Sequence, residues 1–218
     1  MDEKFWKECW EQDEIGFHLN EVNPVLSQYW NQLPLKSGSG VFVPLCGKSL
    51  DLIWLLKQDF HVVGVELSKI AVDAFFLEQA IKPIIQKRDK FQCYQSNQLA
   101  LFCGSLFDLS EPHLENIQAV YDRASLVALP LEMRQRYMDK LLKALPRSAS
   151  WLLVTFEYDE NIMQGPPFSV SQSEVRGYFE GYDVRLVGED EMIGSMPKAQ
   201  KMGLGSIRQC VYVMTPSE

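Results

Sequence analysis

The chain has 218 residues, of which 46% are hydrophobic and 23% are charged, and its formal net charge is −8. This composition is typical of a globular protein with a buried core and excludes intrinsic disorder. The excess of negative charge is unfavourable for binding a phosphate backbone, so we expect no nucleic-acid partner.

Membrane and secretory features are missing from the sequence. No apolar run reaches the roughly 18 residues that a membrane-spanning helix needs, and the charged start MDEKFWKECWEQDE has no signal-peptide core. The five cysteines form no CxxC pair and are odd in number. This pattern predicts reduced thiols in a cytoplasmic protein without a bound metal.

Residues 1–36 predict a helical N-terminal arm. The segments FWKECWEQD and NPVLSQYWNQL indicate two short helices, and the first has an apolar stripe formed by Phe5, Trp6, Cys9 and Trp10. The SGSG segment at 37–40 predicts a hinge between the arm and the first strand.

From residue 41 onwards, short apolar strands alternate with helical segments. This alternation predicts right-handed βαβ units, a mostly parallel seven-stranded sheet and a three-layer α/β sandwich. The chain is thus expected to be a single domain, with 41–218 as its Rossmann-like core and 82–90 as a loop. The last two strands, YDVRLVGED and IRQCVYVM, have no helix between them, so one of them is expected to run antiparallel.

Ligands of open α/β sheets bind at the carboxyl ends of the strands. The loops at this edge are CGKS, ELS, GSLFDL and DRAS. The GKS triplet is not a P-loop, because a P-loop needs glycine five residues earlier, where this chain has Phe42. A G-x-G-x-x-G dinucleotide motif is also missing, so the segment is a tight turn at whose glycine a ligand can approach the backbone closely.

Glu66 ends the second predicted strand, 19 residues after Gly47. A carboxylate there can accept hydrogen bonds from both ribose hydroxyls and would repel a 2′-phosphate. The alternative is an exposed glutamate at the start of the next helix. A nucleoside cofactor held without a phosphate grip is predicted, and S-adenosylmethionine fits this description.

Other side chains at the same edge extend this prediction. Ser105 and Leu106 are expected beside the adenine ring, with Leu67 on its other face, although ordinary core packing also explains the leucines. Asp122 and Arg123 are predicted at the rim above the cofactor, where the arginine would bind a carboxylate. A purely structural Asp–Arg pair is the alternative.

Six segments together resemble the thiopurine S-methyltransferase family, especially its bacterial branch: WKECWEQDEIGFH, VFVPLCGKSLDLIWL, VVGVELS, SLFDL, YDRASLVALP and GPPF. The resemblance covers the chain from about residue 4 to its end. It implies a class I methyltransferase fold and methyl transfer from S-adenosylmethionine to the sulfur of an aromatic or heterocyclic thiol.

The resemblance also implies roles for particular residues. The cofactor is expected to contact the residues that match the family pattern, which are Trp6, Trp10, Phe17, Leu45, Glu66, Ser105, Leu106 and Arg123. A basic residue of the acceptor pocket falls at Lys198, with Lys201 and Arg208 as alternatives. No metal is implied, and a monomer with a small-molecule thiol substrate is expected.

The chemistry of methyl transfer assigns the remaining groups. Trp6, Trp10 and Phe17 are predicted to form an aromatic lid, because aromatic faces attract a sulfonium cation. Phe17, with Pro166 and Phe168 of the GPPF segment, is expected to contact the flat acceptor. The alternative for the GPPF segment is a rigid loop without a ligand contact. Asp122 and Arg123 are predicted as catalytic residues that act mainly by orientation, and His18 is the histidine expected nearest to the site.

Three alternatives stay open at this point. The acceptor can be an inorganic or organic selenium or tellurium compound, which the chain would methylate in detoxification. The chain can also be a non-catalytic module that binds a nucleoside, or a P-loop nucleotide hydrolase or kinase, although the position of Phe42 argues against the last.

Overall fold

The structure is a computed structural model that describes residues 3–217. Its helices are α1 Glu3–Glu11, α2 Pro24–Tyr29, α3 Asp51–Lys57, α4 Lys69–Glu78, α5 Glu111–Leu114, α6 Leu131–Ala144, α7 Gln172–Tyr178 and α8 Pro197–Lys201. Its strands are β1 Gly40–Val43, β2 His61–Glu66, β3 Ile84–Arg88, β4 Phe91–Ser96, β5 Leu99–Cys103, β6 Ile117–Arg123, β7 Ser150–Glu157, β8 Tyr182–Glu191 and β9 Arg208–Pro216.

All the described strands join one sheet in the order β3-β4-β5-β2-β1-β6-β7-β9-β8. The five central strands, from β5 to β7, are parallel to one another. Strand β9 runs antiparallel between β7 and β8, so the predicted antiparallel strand is confirmed. The premise that no helix lies between the last two strands was wrong, because the short helix α8 lies in their connection. The strand order reverses at β1. The chain continues from β1 to β2 on one side, and β6 pairs with β1 on the other side.

The predicted strand count of seven was wrong, because the described sheet has nine strands. Strand β3 lies inside the segment that the sequence indicated as a loop, and it pairs antiparallel with β4. All five β3 residues are exposed, so the strand carries no burial pattern that a sequence can reveal. Strands β3 and β4 form a hairpin added to the edge of a seven-stranded α/β sheet.

Helices cover both faces of the sheet, which confirms the predicted three-layer sandwich. One apolar cluster joins one sheet face to α6 and α7 through buried side chains such as Tyr137 and Val175. The other cluster joins the opposite face to α2, α3 and α4, with Leu26, Leu55 and Phe75 fully buried. Burial of two helical layers against one sheet is what α/β packing requires.

The second helix of the predicted arm belongs to the core. Trp30, which follows α2, is 3% exposed and meets the rings of Trp54, Phe60 and Tyr121 edge-on. The SGSG segment is therefore not a hinge between arm and core. Gly40 lies so close to Asn116 that a Cβ on it would come within 2.1 Å of the carbonyl oxygen. The N–H of Gly38 donates to the carbonyl of Asp59 at 2.8 Å, so the segment is tied to the core at two points.

Candidate active site

The parallel strands bring their carboxyl ends to one edge of the sheet. Glu66 at the end of β2 is in register with Cys103 at the end of β5, and Arg123 ends β6 on the other side of β1. The turn after β1 lies between them, at the point where the sheet changes direction. This is the position at which open α/β sheets bind ligands.

Glu66 is buried, with an exposed fraction of 6%. One carboxylate oxygen, Oε2, accepts a hydrogen bond from the backbone N–H of Gly47 at 2.9 Å, and the other, Oε1, accepts one from Ser68 at 2.7 Å. The alternative of an exposed glutamate at a helix start is excluded. A carboxylate offers about four acceptor positions, so these two bonds leave capacity for a further donor.

Burial has an electrostatic cost for this group. Desolvation raises the pKa of Glu66 above its usual range, and the hydrogen bonds from Ser68 and Gly47 offset part of that rise. The Gly47 and Ser68 N–H groups thus stabilise the ionised form of a carboxyl group that burial destabilises. Such an arrangement is typical of functional sites.

The turn after β1 has an unusual backbone. Leu45 has φ 43° and Gly47 has φ 53°, both in the left-handed region. The turn is fixed from below by the N–H of Cys46, which donates to the carbonyl of Val65 at 3.0 Å. On its other side, the turn contacts the Trp10 ring. A Cβ added to Gly47 would lie 3.0 Å from this ring. A larger side chain at position 47 would displace the indole, which is a physical reason for glycine there.

The predicted adenine contacts lie on neighbouring loops. Leu67 directly follows Glu66 and is half-buried. Ser105 precedes the short 3-10 turn Leu106–Asp108, and Leu106 itself is 4% exposed within the core. The structure thus places Leu67 and Ser105 at the strand ends, whereas Leu106 is already packed against other apolar side chains.

The pair Asp122–Arg123 is split by the sheet, with the two side chains on opposite faces. Asp122 is fully buried, accepts from the Tyr137 hydroxyl at 2.7 Å and from the N–H of Leu126 at 3.1 Å, and has a pKa raised by burial to about 6. The prediction of Asp122 at the rim was wrong, because these bonds hold it inside the core. Its bond to Tyr137 joins β6 to α6.

Arg123, in contrast, is half-buried at the site edge. Its guanidinium has no hydrogen-bond or ion-pair partner within residues 3–217. In a chain with 29 acidic residues, an unpaired and partly buried arginine is available to bind an anionic group of a ligand.

Aromatic side chains of α1 and the following loop cover the turn after β1. The Phe17 ring meets both the Trp6 and the Trp10 rings edge-on, with 5.7 Å between ring centroids in each pair. His18 is next in the chain, and its pKa is lowered by burial and then by the positive charges of Lys48 and Arg123. The structure therefore brings the three predicted lid residues together and places His18 within the electrostatic reach of Arg123.

The GPPF segment lies beyond the end of β7. The N–H of Phe168 donates to the carbonyl of Val127 at 2.6 Å, and the Tyr158 hydroxyl donates to the carbonyl of Pro167 at 2.5 Å. Pro166 is exposed, and the Phe168 ring lies against Gly165. The loop is thus fixed to the segment that comes after Arg123.

A cavity of about 390 Å³ opens beside this loop. Its lining includes an aromatic ring, two aliphatic side chains and charged groups, among them Tyr158, Ile162, Leu204, Asp159 and Arg208. The cavity is largely open to solvent, and no residue of the GPPF segment lines it. The connection between β8 and β9 forms its far wall.

The predicted basic residue Lys198 lies exposed on α8, in that connection. No contact in the described chain joins its ammonium group to Phe17 or Phe168. Of its two alternatives, Lys201 is also exposed, and Arg208 forms ion pairs with Glu157 at 2.9 Å and Glu189 at 3.1 Å. Within residues 3–217, none of the three basic groups has a cation–π contact with the aromatic cluster.

Several contacts at this edge were missed from sequence. Ser125 donates to the carbonyl of Pro44 at 2.7 Å and joins the loops after β1 and β6. Asp51 accepts from the N–H of Asn23 and from the hydroxyl of Tyr121. These pairs are separated by 28 to 81 residues, and no local pattern signals them.

Solved structures with the same architecture define the class of protein. A methyltransferase from Anabaena variabilis, described as dependent on S-adenosylmethionine, superposes with a TM-score of 0.68 at 13% identity, covering 98% of this chain and 94% of its own. An N1-methyltransferase from Burkholderia thailandensis, solved with 1,6-didemethyltoxoflavin and S-adenosylhomocysteine, gives 0.65 at 12% identity, covering 99% and 87%. The fold is that of the class I methyltransferases that use S-adenosylmethionine.

The sequence comparison is more specific. The profile of the thiopurine S-methyltransferase family matches residues 1–217. A thiopurine S-methyltransferase of Nitrosospira multiformis is 45% identical over 98% of both chains, and one of Pseudomonas putida is 43% identical over 97% of this chain and 98% of its own. The chain belongs to the thiopurine S-methyltransferase family and is an S-adenosylmethionine-dependent methyltransferase.

Membrane-crossing helices and metal-binding clusters are both missing from the described part of the chain. None of the helices within residues 3–217 is long and apolar enough to cross a membrane. The same residues contain no group of three or more His, Cys, Asp or Glu side chains arranged to hold a metal ion.

Proposed function

We propose that this enzyme methylates the sulfur of thiopurines and related aromatic or heterocyclic thiols, acting as a monomer without a metal. One observation carries the proposal. A buried carboxylate placed to bind a ribose, an unpaired arginine and a cluster of three aromatic rings lie together at one edge of the sheet. The names of the relatives agree with this acceptor class.

Three groups of residues are proposed to hold S-adenosylmethionine. Glu66 accepts from the two ribose hydroxyls with the acceptor capacity that Gly47 and Ser68 leave unused. Leu67 and Ser105 contact the adenine ring, with Leu106 beneath it, and Leu45 contributes the backbone of the turn. Arg123 pairs with the carboxylate of the methionine part.

The aromatic cluster completes the cofactor site. Trp6, Trp10 and Phe17 present ring faces and edges to the sulfonium, an attraction worth roughly 0.5–2 kcal/mol. The indole N–H of Trp6 is buried and has no hydrogen-bond partner in the described chain. A buried donor without a partner is costly, so a ligand acceptor atom at this place would stabilise the closed arm.

The acceptor is proposed to enter from the side of the GPPF loop. Phe17 and Phe168 contact the flat ring, Pro166 borders the entrance, and the cavity beside Tyr158 gives room for ring substituents. Lys198 on α8 is proposed to reach the acceptor only if the connection between β8 and β9 closes over it.

The protein contributes orientation and exclusion of water. When bound, S-adenosylmethionine supplies an activated methyl group: a carbon–sulfur bond to the acceptor forms as the bond to the sulfonium breaks. Arg123 orients the donor through the carboxylate of its methionine part, and the lid excludes solvent. A heterocyclic thiol ionises readily, so its proton can leave to water without a dedicated base, and His18 stays neutral at neutral pH because its pKa is lowered.

The test measures methyl transfer from tritiated S-adenosylmethionine to 6-mercaptopurine, thiophenol, selenite and tellurite under identical conditions. We expect kcat/KM to be highest for the two thiols, and the Arg123→Ala variant to lose most of this activity while its melting temperature changes little. Turnover of selenite or tellurite alone would show that the acceptor is a selenium or tellurium compound and not a thiol. Binding of S-adenosylhomocysteine with no transfer to any acceptor would instead indicate a non-catalytic nucleoside-binding module.

A further inference from the structure

Asn23 marks the border between the covering arm and the fixed core. The described loop hydrogen bonds of residues 12–22 stay within the arm: Gln12 donates to Glu8, Glu14 to Cys9 and His18 to Ile15. After Asn23, the side chains of Val25, Leu26 and Tyr29 in α2 are buried in the core. The position of the aromatic cluster is therefore set by how the chain is held at this border, together with the contact between the Trp10 ring and Gly47.

A buried carboxylate, that of Asp51, holds the chain at Asn23. Asp51, in the first turn of α3, is 1% exposed. Its Oδ1 accepts from the backbone N–H of Asn23 at 2.8 Å, and its Oδ2 accepts from the Tyr121 hydroxyl at 3.1 Å. Hydrogen bonds to a charged, buried acceptor are among the stronger ones in proteins.

The bonds of Asp51 join three parts of the active site. Asn23 ends the arm that carries Trp10 and Phe17, and Asp51 lies four residues after Gly47 in the turn that the indole covers. Tyr121 lies two residues before Arg123 on β6. One carboxylate thus connects the arm, the turn after β1 and the strand that presents the arginine.

We propose that Asp51 is a positioning residue of this enzyme: by fixing Asn23 to α3 and β6, it sets where the aromatic arm closes over the cofactor. The inference rests on the proposed role of the arm as a lid. Asp51 touches neither the cofactor nor the acceptor, so its removal should change cofactor affinity through the arm and leave the chemical step intact.

The experiment compares Asp51→Asn with Asp122→Asn, a control at a second buried carboxylate that has no bond to the arm. We expect Asp51→Asn to raise the Kd for S-adenosylhomocysteine and the KM for S-adenosylmethionine about tenfold, with kcat at saturation within about twofold. Cleavage by a glutamate-specific protease at the exposed Glu14 and Glu21 should accelerate in this variant and not in the control.

A second pair of variants tests the same bond from the donor side and covers the case in which Asp51→Asn does not fold. Asn23→Pro deletes the N–H at a φ of −62°, which proline adopts, and also deletes the side-chain cap on Val25. Asn23→Ala deletes only the cap. We expect faster arm cleavage and weaker cofactor binding in Asn23→Pro than in Asn23→Ala.

Two results would overturn the inference. One is an unchanged Kd and cleavage rate in Asp51→Asn together with a lowered melting temperature, which would make Asp51 a stability residue only. The other is equal cleavage of Asn23→Pro and Asn23→Ala. If the wild-type enzyme binds no S-adenosylhomocysteine, the proposed function fails instead, and the protease measurement still reports on the arm.

Discussion

At the scale of single residues, the geometry of Glu66 gives the most specific information about the ligand. Its two oxygens are already oriented by the N–H groups of Gly47 and Ser68, so the remaining acceptor positions point to defined places. Because burial raises the pKa of Glu66, this carboxyl group takes up a proton at a higher pH than an exposed glutamate does. Cofactor affinity and pH should therefore be linked through this group.

Glu66→Ala should weaken S-adenosylhomocysteine binding by about 1–3 kcal/mol, the usual loss for charge-assisted hydrogen bonds. The wild-type affinity should also fall as the pH is lowered from neutrality through the raised pKa of Glu66, because the protonated form accepts fewer bonds. Calorimetric titration at several pH values checks both effects.

The control is Glu115→Ala, at an exposed position, which should keep the wild-type affinity. Parallel pH profiles for Glu66→Ala and the wild-type protein would contradict the assignment of this carboxylate to the ribose.

At the scale of secondary-structure elements, the N-terminal region divides into a part that covers the site and a part that packs into the core. Helix α1 and the loop up to Val22 carry the aromatic rings, whereas α2 contributes Leu26, fully buried, and the following Trp30, 3% exposed. The second part is inseparable from the core because its removal would open large cavities. A truncation must therefore end before Asn23 to test the lid alone.

Deletion of residues 1–22 should leave a folded protein that binds S-adenosylmethionine more weakly. Because a sulfonium is attracted by aromatic faces and the neutral product is not, the loss should be larger for S-adenosylmethionine than for S-adenosylhomocysteine, by roughly 0.5–2 kcal/mol. Calorimetry with both ligands measures this difference.

Deletion of residues 1–36 serves as the matched comparison, since it also removes Leu26 and Trp30 and should unfold the chain. Equal losses for the two ligands after the shorter deletion would show that the rings do not act on the sulfonium charge.

At the scale of the whole molecule, buried ionisable groups connect the sheet to its helical layers. Asp122 of β6 accepts from Tyr137 of α6, so its ionisation affects the packing of a helix on the sheet. Its pKa of about 6 lies above the ordinary value of 3.8. The folded state therefore binds this proton more tightly than the unfolded state does.

The contribution of Asp122 to stability should be fully present below about pH 3.8 and should be lost as the pH rises through about 6. The expected size is about 2–3 kcal/mol. Chemical denaturation of the wild-type protein and Asp122→Asn between pH 4 and 7 checks it: the free energy of unfolding of the wild type should decline relative to the variant over this interval. A constant difference between the two proteins would contradict the raised pKa.

Local patterns in the sequence were sufficient to predict the layers of the fold. They also predicted the strand ends that carry Glu66 and Arg123. Alternation of apolar strands and amphipathic helices specifies an α/β sandwich, since each element must bury one face. The family motifs added Trp10 and Phe17, which the structure places together, and Lys198, which it leaves exposed.

Tertiary structure alone decided the features that depend on distant pairs. Strand β3 gains its place from pairing with β4 and shows no apolar face of its own. Asp122 and Arg123 are neighbours in sequence, yet strand geometry sends one into the core and the other to the site. Asp51 meets Asn23 and Tyr121 across 28 and 70 residues, and such long-range hydrogen bonds leave no periodic trace because each partner satisfies its local helix or strand equally well without the other.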